Sequence, residues 1–169
     1  MLAAANEFNE YGFQGTDTNR IARRAGFAPQ TFYRWFEDKI DIFIKVYEEW
    51  QRQEMGDLGK LLADNAADVR LVQACVDHHR AFLVFRRSLR LLSLENERVR
   101  AARAASRLRQ IEFLTTLHKE QRDPSQLAVA LLQFERLADA LAEGEIADMG
   151  LDADAAQSVL AGLIHELRN

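Results

Sequence analysis

The stretch that decides the fold is residues 16–39, TDTNRIARRAGFAPQTFYRWFEDK. Thr16 or Asp17 can cap a first helix, because a short side-chain oxygen accepts hydrogen bonds from the free N–H groups at a helix start. Gly26 follows that helix, where a chain often needs a left-handed residue, and Pro29 suits the first turn of the next helix. Two short helices joined by a glycine-containing turn indicate a helix-turn-helix.

The second helix of this motif has an apolar face and a polar face. Phe32 and Phe36, four residues apart, form the apolar face,. Side chains on the polar face are candidates for DNA contacts: Gln30 and Thr31 for base edges, Arg34 for a base or a phosphate, and Tyr33, Trp35 and Lys39 for phosphates. At the start of the preceding helix, Thr16, Asn19 and Arg20 suit the backbone across the groove. The alternative is that all of these are ordinary exposed residues of a helical bundle.

Landmarks in the first 50 residues share the order and spacing of a known family. They are Ala4-Ala5, Phe8, Tyr11-Gly12-Phe13, Thr16, Ile21-Ala22, Ala25-Gly26, Thr31, Phe32-Tyr33, Phe36 and Lys39. With them, Leu2 to about Trp50 resembles the DNA-binding domain of TetR-type (TetR/AcrR) transcriptional regulators. The resemblance implies a helix-turn-helix DNA-binding domain at residues 1–45 and a helical effector-binding and dimerisation domain at residues 46–169.

Some positions depart from the family pattern. Ala28 stands where a capping Ser or Thr is frequent, Gln30 where Gly is frequent, and Trp35 where His or Tyr is frequent. The sequence also starts directly with its first helix, whereas the family usually carries a few more residues before it. Two interpretations are open: the sequence is truncated, or this arm is absent. We therefore expect a lowered DNA affinity and an operator that cannot be transferred from other members.

Composition limits the classes of protein that fit. The chain has 169 residues, of which 48% are hydrophobic, with two prolines and eight glycines, which favours long helices around a real core. No apolar run approaches the ~18 residues of a membrane helix, and no signal peptide is visible. A single cysteine, Cys75, excludes a disulfide framework and favours a cytoplasmic location,.

The net charge of −4 is not typical of a nucleic-acid-binding protein, but charge is unevenly distributed. Residues 16–39 carry five basic and three acidic side chains, whereas residues 110–169 carry four basic and eleven acidic ones. Residues 86–109 carry eight arginines and two glutamates. We expect that run to pair with the acidic final third of the chain, the alternative being attraction of an anionic effector.

Apolar spacing along the chain predicts an all-α fold of about nine helices and no strand. A long helix should run from Lys39 to about Ala63, and Asp68 should open the next. A further helix is expected from Glu95 to Gln121. Asp123-Pro124 is a strong helix start, with the helix ending near Met149, and Asp152 should cap the last one.

The residues beyond the helix-turn-helix include candidates for an effector pocket, since in TetR-like regulators the same helices surround one. The candidates are Trp50, Cys75, His78, Phe82, Phe113 and Phe134. For the aromatic residues the alternative is core packing, and for His78 and its neighbour His79 it is a satisfied core histidine. Adjacent histidines diverge by about 100° on a helix and do not chelate as an i, i+4 pair would, so we expect no metal. We find no catalytic motif and expect no cofactor and no enzymatic activity.

The last two predicted helices carry apolar residues at intervals of three and four and are candidates for a homodimer interface. The residues expected there are Leu127, Leu131, Phe134, Leu141, Val159, Leu160, Leu163 and Leu167. The sequence thus predicts a dimeric regulator, a repressor released from a palindromic operator by a small apolar or aromatic effector. The alternative is a helical ligand-binding or protein-interaction module without specific DNA binding.

Overall fold

The structure, a computed structural model, describes residues 1–117 and 122–168. In these ranges it is built of helices without strands, as the spacing predicts. The nine α-helices are α1 (Leu2–Tyr11), α2 (Thr18–Arg24), α3 (Lys39–Ala63), α4 (Asp68–Ala81), α5 (Leu83–Glu95), α6 (Glu97–Leu117), α7 (Pro124–Glu143), α8 (Glu145–Asp148) and α9 (Asp154–Arg168). A 3₁₀ helix spans Pro29–Arg34 between α2 and α3. No helix within the described ranges has the length and apolar character needed to cross a membrane.

The chain forms two compact units that alternate along the sequence. Unit 1 comprises Met1–Gln53 and Phe82–Ser106, and unit 2 comprises Glu54–Ala81 and Arg107–Asn169. One change of unit falls inside α3 and another inside α6. The two compact units are therefore not separated by a single boundary at residue 45. The division of the chain there into a DNA-binding domain and an effector-binding domain stays a prediction.

Unit 1 is organised around a cluster of aromatic rings. Phe43 of α3 lies at its centre, with ring centroids 5.0 Å from Phe8, 5.3 Å from Phe13 and 4.7 Å from Phe85. Rings at these separations gain packing energy beyond the apolar area they bury. The cluster joins α1 and the turn after it to α3 and α5, so the helix-turn-helix rests on residues that lie some 40 positions further along the chain.

Unit 2 is a packed group of α4, α7 and α9. Its largest fully buried side chains are Leu71, Leu127 and Leu160, one from each of these helices. Their spacing places one apolar stripe of each helix against the other two, which is the arrangement that an amphipathic helix requires.

Several predicted boundaries are confirmed and one is wrong. The long helix ends at Ala63, Asp68 opens α4, and Asp123 caps α7 by accepting from Ser125 N–H at 2.9 Å. However, α7 ends at Glu143 rather than near Met149, because Gly144 adopts a left-handed conformation with φ of 82°,. Residues 118–121, the end of the helix predicted over Glu95–Gln121, lie outside the described residues.

Candidate nucleic-acid interface

The helix-turn-helix starts from a capped α2. Asp17 is the cap, its Oδ1 accepting from Arg20 N–H at 2.8 Å. Ile21 and Ala22 turn the apolar side of α2 into the core. Gly26 then takes φ of 79°, and Phe27 N–H donates back to the carbonyl of Ala22 at 2.9 Å. These bonds fix the turn that sets the direction of the following helix.

That following helix is a 3₁₀ helix rather than an α-helix. Thr31 N–H donates to the carbonyl of Ala28 at 2.9 Å and Trp35 N–H to that of Phe32 at 3.0 Å, both i to i+3 bonds,. Ala28 at its N-cap supplies no side-chain bond. Phe32 is buried in unit 1 and anchors the segment. With three residues per turn, Gln30 and Tyr33 lie on one edge, and Thr31 and Arg34 on the next.

An exposed polar and aromatic surface results, which we call the outer face of the helix-turn-helix. Trp35 is 73% exposed and Tyr33 63% exposed, and Asn19, Gln30 and Arg34 are exposed as well, with Thr31 half-buried. The hydroxyl of Tyr33 lies 3.3 Å from that of Thr18 on α2. The outer face therefore gathers six of the nine residues proposed to contact DNA.

The other three proposed residues make contacts inside the domain. Thr16 is only 2% exposed, and its hydroxyl donates to the carbonyl of Glu7 at 3.1 Å. Arg20 donates through Nε to Glu7 Oε2 at 3.0 Å, and its guanidinium lies 4.1 Å from the ring centroid of Tyr11. Their structural contacts are visible, whereas their proposed roles on DNA stay predictions.

Lys39, at the first position of α3, reaches back to the turn between α1 and α2. Its ammonium donates to the carbonyl oxygens of Phe13 and Thr16 at 2.9 and 2.8 Å and lies 4.0 Å from the ring centroid of Phe13. Burial lowers the pKa of Lys39, with Asp17 acting in the opposite direction. Two donated hydrogen bonds and a cation–π contact make Lys39 a clamp on that turn.

Glu7 is a residue that the sequence reasoning missed. Its buried carboxylate accepts from Arg20 at 3.0 Å and from Arg24 at 3.0 Å, so it ties α1 to α2. The exposed Glu10 also accepts from Arg24, at 2.8 Å. A charged residue one position before Phe8, on the same stripe of α1 as Ala4, was the signal available in the sequence. The contact of Thr18 with Tyr33 is not predicted either, because Thr18 lies between Asp17, the predicted cap, and Asn19, a predicted DNA contact.

The two units carry net charges of opposite sign. Unit 1 holds 13 Lys and Arg against 10 Asp and Glu, a net charge of +3, whereas unit 2 holds 9 against 16, a net charge of −7. The arginines of α5 and α6 account for the sign of unit 1. Arg98 pairs with Asp38 at 2.7 Å inside unit 1, and Arg107 pairs with Glu135 at 2.6 Å inside unit 2. Arg107 therefore follows the expected pairing with the acidic final third, whereas Arg98 pairs with a residue of the N-terminal segment.

The candidates for an effector pocket are divided between the units. Trp50 and Phe82 belong to unit 1, with ring centroids 5.9 Å apart, and Trp50 is buried. Cys75 and Phe134 are buried in the core of unit 2, and His78 and Phe113 are half-buried there. The neighbouring His79 is buried. Within the described residues, no group of three or more His, Cys, Asp or Glu is placed to hold a metal ion.

The geometry above defines an all-α protein with a helix-turn-helix of the kind that enters DNA grooves, and comparison with known proteins shows which family its N-terminal domain is similar to. Residues 1–46 match the model of the bacterial regulatory proteins, tetR family. The predicted resemblance of the N-terminal segment to this family is thereby confirmed. The family and the relatives described next are transcriptional regulators rather than enzymes.

The relatives match different parts of the chain. An uncharacterised HTH-type transcriptional regulator of Bacillus subtilis, YdgC, is 33% identical over 65 residues, which are 38% of this chain and 33% of that protein. The matched segment thus spans a third of the length of this relative.

Solved structures match nearly the whole chain at low identity. A protein from Rhodococcus sp. described as a TetR-family transcriptional regulator matches with a TM-score of 0.72 at 17% identity, covering 99% of this chain and 95% of its own. The fatty acid degradation regulator FadR from Bacillus halodurans gives 0.65 at 16% identity, with 99% and 91% covered. A regulator from Streptomyces coelicolor, SCO4942, gives 0.58 at 21%, with 99% and 96% covered. These likenesses show the fold.

Proposed function

We propose that this protein is a dimeric, DNA-binding transcriptional regulator that reads a palindromic operator through the outer face of the helix-turn-helix. The observation that carries the proposal is that a buried framework holds this exposed edge in place. Phe32 is anchored in unit 1, Lys39 clamps the preceding turn, and Glu7 ties α1 to α2. Gln30 and Thr31 are then presented to base edges, Arg34 to a base or a phosphate, and Asn19, Tyr33 and Trp35 to the backbone.

The charge of unit 1 supports the same proposal. A net charge of +3 on the unit that carries the outer face attracts phosphates, although the whole chain is acidic. In a dimer two such units contribute, and counterion release makes the affinity fall steeply with salt. The acidic unit 2 is suited to regulation rather than to DNA.

We further propose that the dimer forms through the outer sides of α7 and α9. Five of the eight residues predicted for the interface, among them Leu127 and Leu160, are buried in the core of unit 2 within a single chain. The exposed apolar residues of the same helices are Val129, Leu132 and Val159. Beside them, Gly162 has open space around its Cα, which would let a second copy approach closely.

The regulatory part of the proposal is repression relieved by a small apolar or aromatic effector in unit 2. Cys75, His78, Phe113 and Phe134 supply apolar surface with one polar group, which is the usual makeup of such sites. The similarity in fold to a regulator of fatty acid degradation agrees with an apolar ligand. The effector must bind the DNA-free form more tightly, since equal affinity for both forms shifts nothing.

The decisive experiment is selection of bound DNA from a random pool with the full chain, followed by anisotropy titrations on the selected sequence. An inverted repeat with half-sites about one or two helical turns apart, roughly 34 Å per turn, is the expected result. Recovery of no enriched sequence would favour the alternative, a helical ligand-binding or protein-interaction module without specific DNA binding.

A further inference from the structure

Three polar side chains meet inside unit 2: Glu54 of α3, His79 of α4 and Asp139 of α7. Each is more than nine-tenths buried, with exposures of 7%, 3% and 2%. Nδ1 of His79 lies 3.0 Å from Asp139 Oδ1, and Nε2 lies 3.5 Å from Glu54 Oε1. A carboxylate oxygen thus faces each ring nitrogen, and the imidazole lies between two helices that flank α4.

The chemistry of the ring decides which protonation state fits this geometry. A neutral imidazole has one N–H and one lone pair, so one of the two carboxylates would face a lone pair. An imidazolium carries a hydrogen on both ring nitrogens and places its positive charge between the two carboxylates, at the ion-pair distances given above,. In a buried setting, where electrostatic interactions are only weakly screened, the difference between the two states is large.

Several other charged groups on α4 and the helices around it have partners of their own. On α4 the neighbours are His78 and Asp77, the latter accepting from Gln73 and Arg80. Of the elements around α4, α3 adds Asp57 with Lys60, α7 adds Glu135 with Arg107, and α9 adds His165 and Arg168, both on Asp68. Glu54 and Asp139 are the carboxylates that lie against the two nitrogens of the His79 ring.

We propose that Glu54, His79 and Asp139 form a proton-binding site, so that unit 2 is most stable with His79 as an imidazolium and this protein responds to pH. Glu54 is the first residue of unit 2 on α3, the helix whose first residue, Lys39, clamps the turn before α2. Loss of the proton weakens the hold of α4 on Glu54, and α3 carries the effect to the DNA-binding end. That last step rests on the proposed function.

The sign of the effect follows from linkage. A site that prefers the charged ring keeps its proton above the ordinary titration range of histidine, roughly pH 6.5. The stabilisation is complete below that range and is lost as pH rises through the folded-state value, so it disappears on the alkaline side. A tenfold gain in proton affinity corresponds to a melting shift of about 3–5 °C for a chain of this size.

Thermal melts of the full chain between pH 5.5 and 9.0 test the site. For the wild-type protein we expect a melting temperature that falls above pH 6.5, and for His79→Gln a lower but flatter profile. His165→Gln is the matched control, because His165 is exposed and also lies near one carboxylate; it should keep the wild-type slope. An unchanged slope in His79→Gln would overturn the proposal.

A second measurement covers the case in which His79→Gln does not fold. Ring ¹⁵N spectra of the wild-type protein, with the His79 signal identified as the one that survives Gln substitution of each other histidine, report the protonation state directly. We expect both nitrogens of His79 to stay protonated at pH 7.5. A neutral ring at pH 6.5 would show that the carboxylates do not hold the proton.

DNA binding separates the two proposals. Operator affinity measured at fixed salt should fall severalfold between pH 6.5 and 8.5 in the wild-type protein and stay level in a folded His79→Gln variant. A pH-dependent melt combined with pH-independent affinity would refute the coupling through α3. Absence of any DNA binding would overturn the proposed function. The proton-binding site would then be judged by the thermal melts and the ¹⁵N spectra, which do not depend on DNA.

Discussion

Arg20 donates through Nε to Glu7 at 3.0 Å, so an arginine expected to reach DNA is held by a carboxylate buried inside the same domain. The second arginine on that carboxylate, Arg24, also contacts the exposed Glu10. Two of the five basic residues between positions 16 and 39 thus orient α2 on α1. Their charge still adds to the field around the outer face, but their geometry is set by the protein.

Replacing Glu7 by Gln should weaken DNA binding although it removes a negative charge from a DNA-binding domain. The buried carboxylate holds α2 in place, and we expect a loss of about 1–3 kcal/mol in unfolding free energy, since both arginines are partly exposed and solvent screens the pairs. Chemical denaturation and anisotropy titrations measure the two effects.

The matched control is Glu10→Gln, which removes the same charge from an exposed position next to Arg24. It should leave stability nearly unchanged and DNA affinity equal or slightly higher. If Glu7→Gln bound DNA as tightly as Glu10→Gln, then Glu7 would contribute only its charge and not the position of α2.

Lys39→Met tests whether Lys39 acts as a clamp or as a phosphate contact. Because its ammonium is bonded to two carbonyl oxygens, we expect lower operator affinity with an unchanged dependence on salt. Arg34→Met, at an exposed position of the outer face, should instead reduce the slope of log affinity against log salt by about 1. Titrations at several salt concentrations decide, and a reduced slope for Lys39→Met would assign it to DNA.

Gln30→Ala should relax sequence preference at one base pair of each half-site. A specific side-chain contact to a base edge contributes about 1–3 kcal/mol of discrimination, and Gln30 is an exposed residue that shares one edge of the 3₁₀ helix with Tyr33. Repeating the selection experiment with the variant measures the change. Tyr33→Phe, which removes only the hydroxyl near Thr18, is the control and should lower affinity evenly across sequences.

Val159→Glu should produce monomers that remain folded. Val159 is 55% exposed on α9, so a charge there is harmless to a single chain but unpaired within an apolar interface. Leu160→Ala is the contrasting variant, because Leu160 is fully buried in unit 2; it should cost about 2–5 kcal/mol of stability without changing association. Sedimentation at micromolar concentration distinguishes them, and a dimeric Val159→Glu would place the interface elsewhere.

Much of the fold follows from sequence patterns because helix boundaries depend on local chemistry. Asp17, Asp123 and Pro124 mark helix starts by their own side chains, and the apolar stripe of α3 predicts its full length. The predicted end of α7 near Met149 is too late. Gly144 and Gly150 both take left-handed conformations, and the apolar spacing does not show that the helix already ends before Gly144, the first of the two.

The site could be predicted less completely, for two physical reasons. An apolar stripe shows that a helix face is covered, but it does not show which element covers it. The stripe therefore offers Leu160 to a partner subunit, whereas Leu160 packs in the core of its own chain. A charged residue such as Glu7 or Lys39 is expected on the protein surface. Their partners, two arginines for Glu7 and two backbone carbonyls for Lys39, lie in other segments of the chain, and the sequence alone does not show that these segments meet.

The contacts of the turn after α1 bear on how such regulators can be recombined. Phe13 N–H donates to Ser88 Oγ at 3.0 Å, and Phe85, Leu89, Leu92 and Val99 share one core with α1 and α3. A chimera that grafts only residues 1–46 onto another sensor would leave this apolar surface uncovered and prone to aggregate. A graft that also transfers α5 and the first half of α6 keeps the core whole, so the transferable module consists of two separate pieces of the gene.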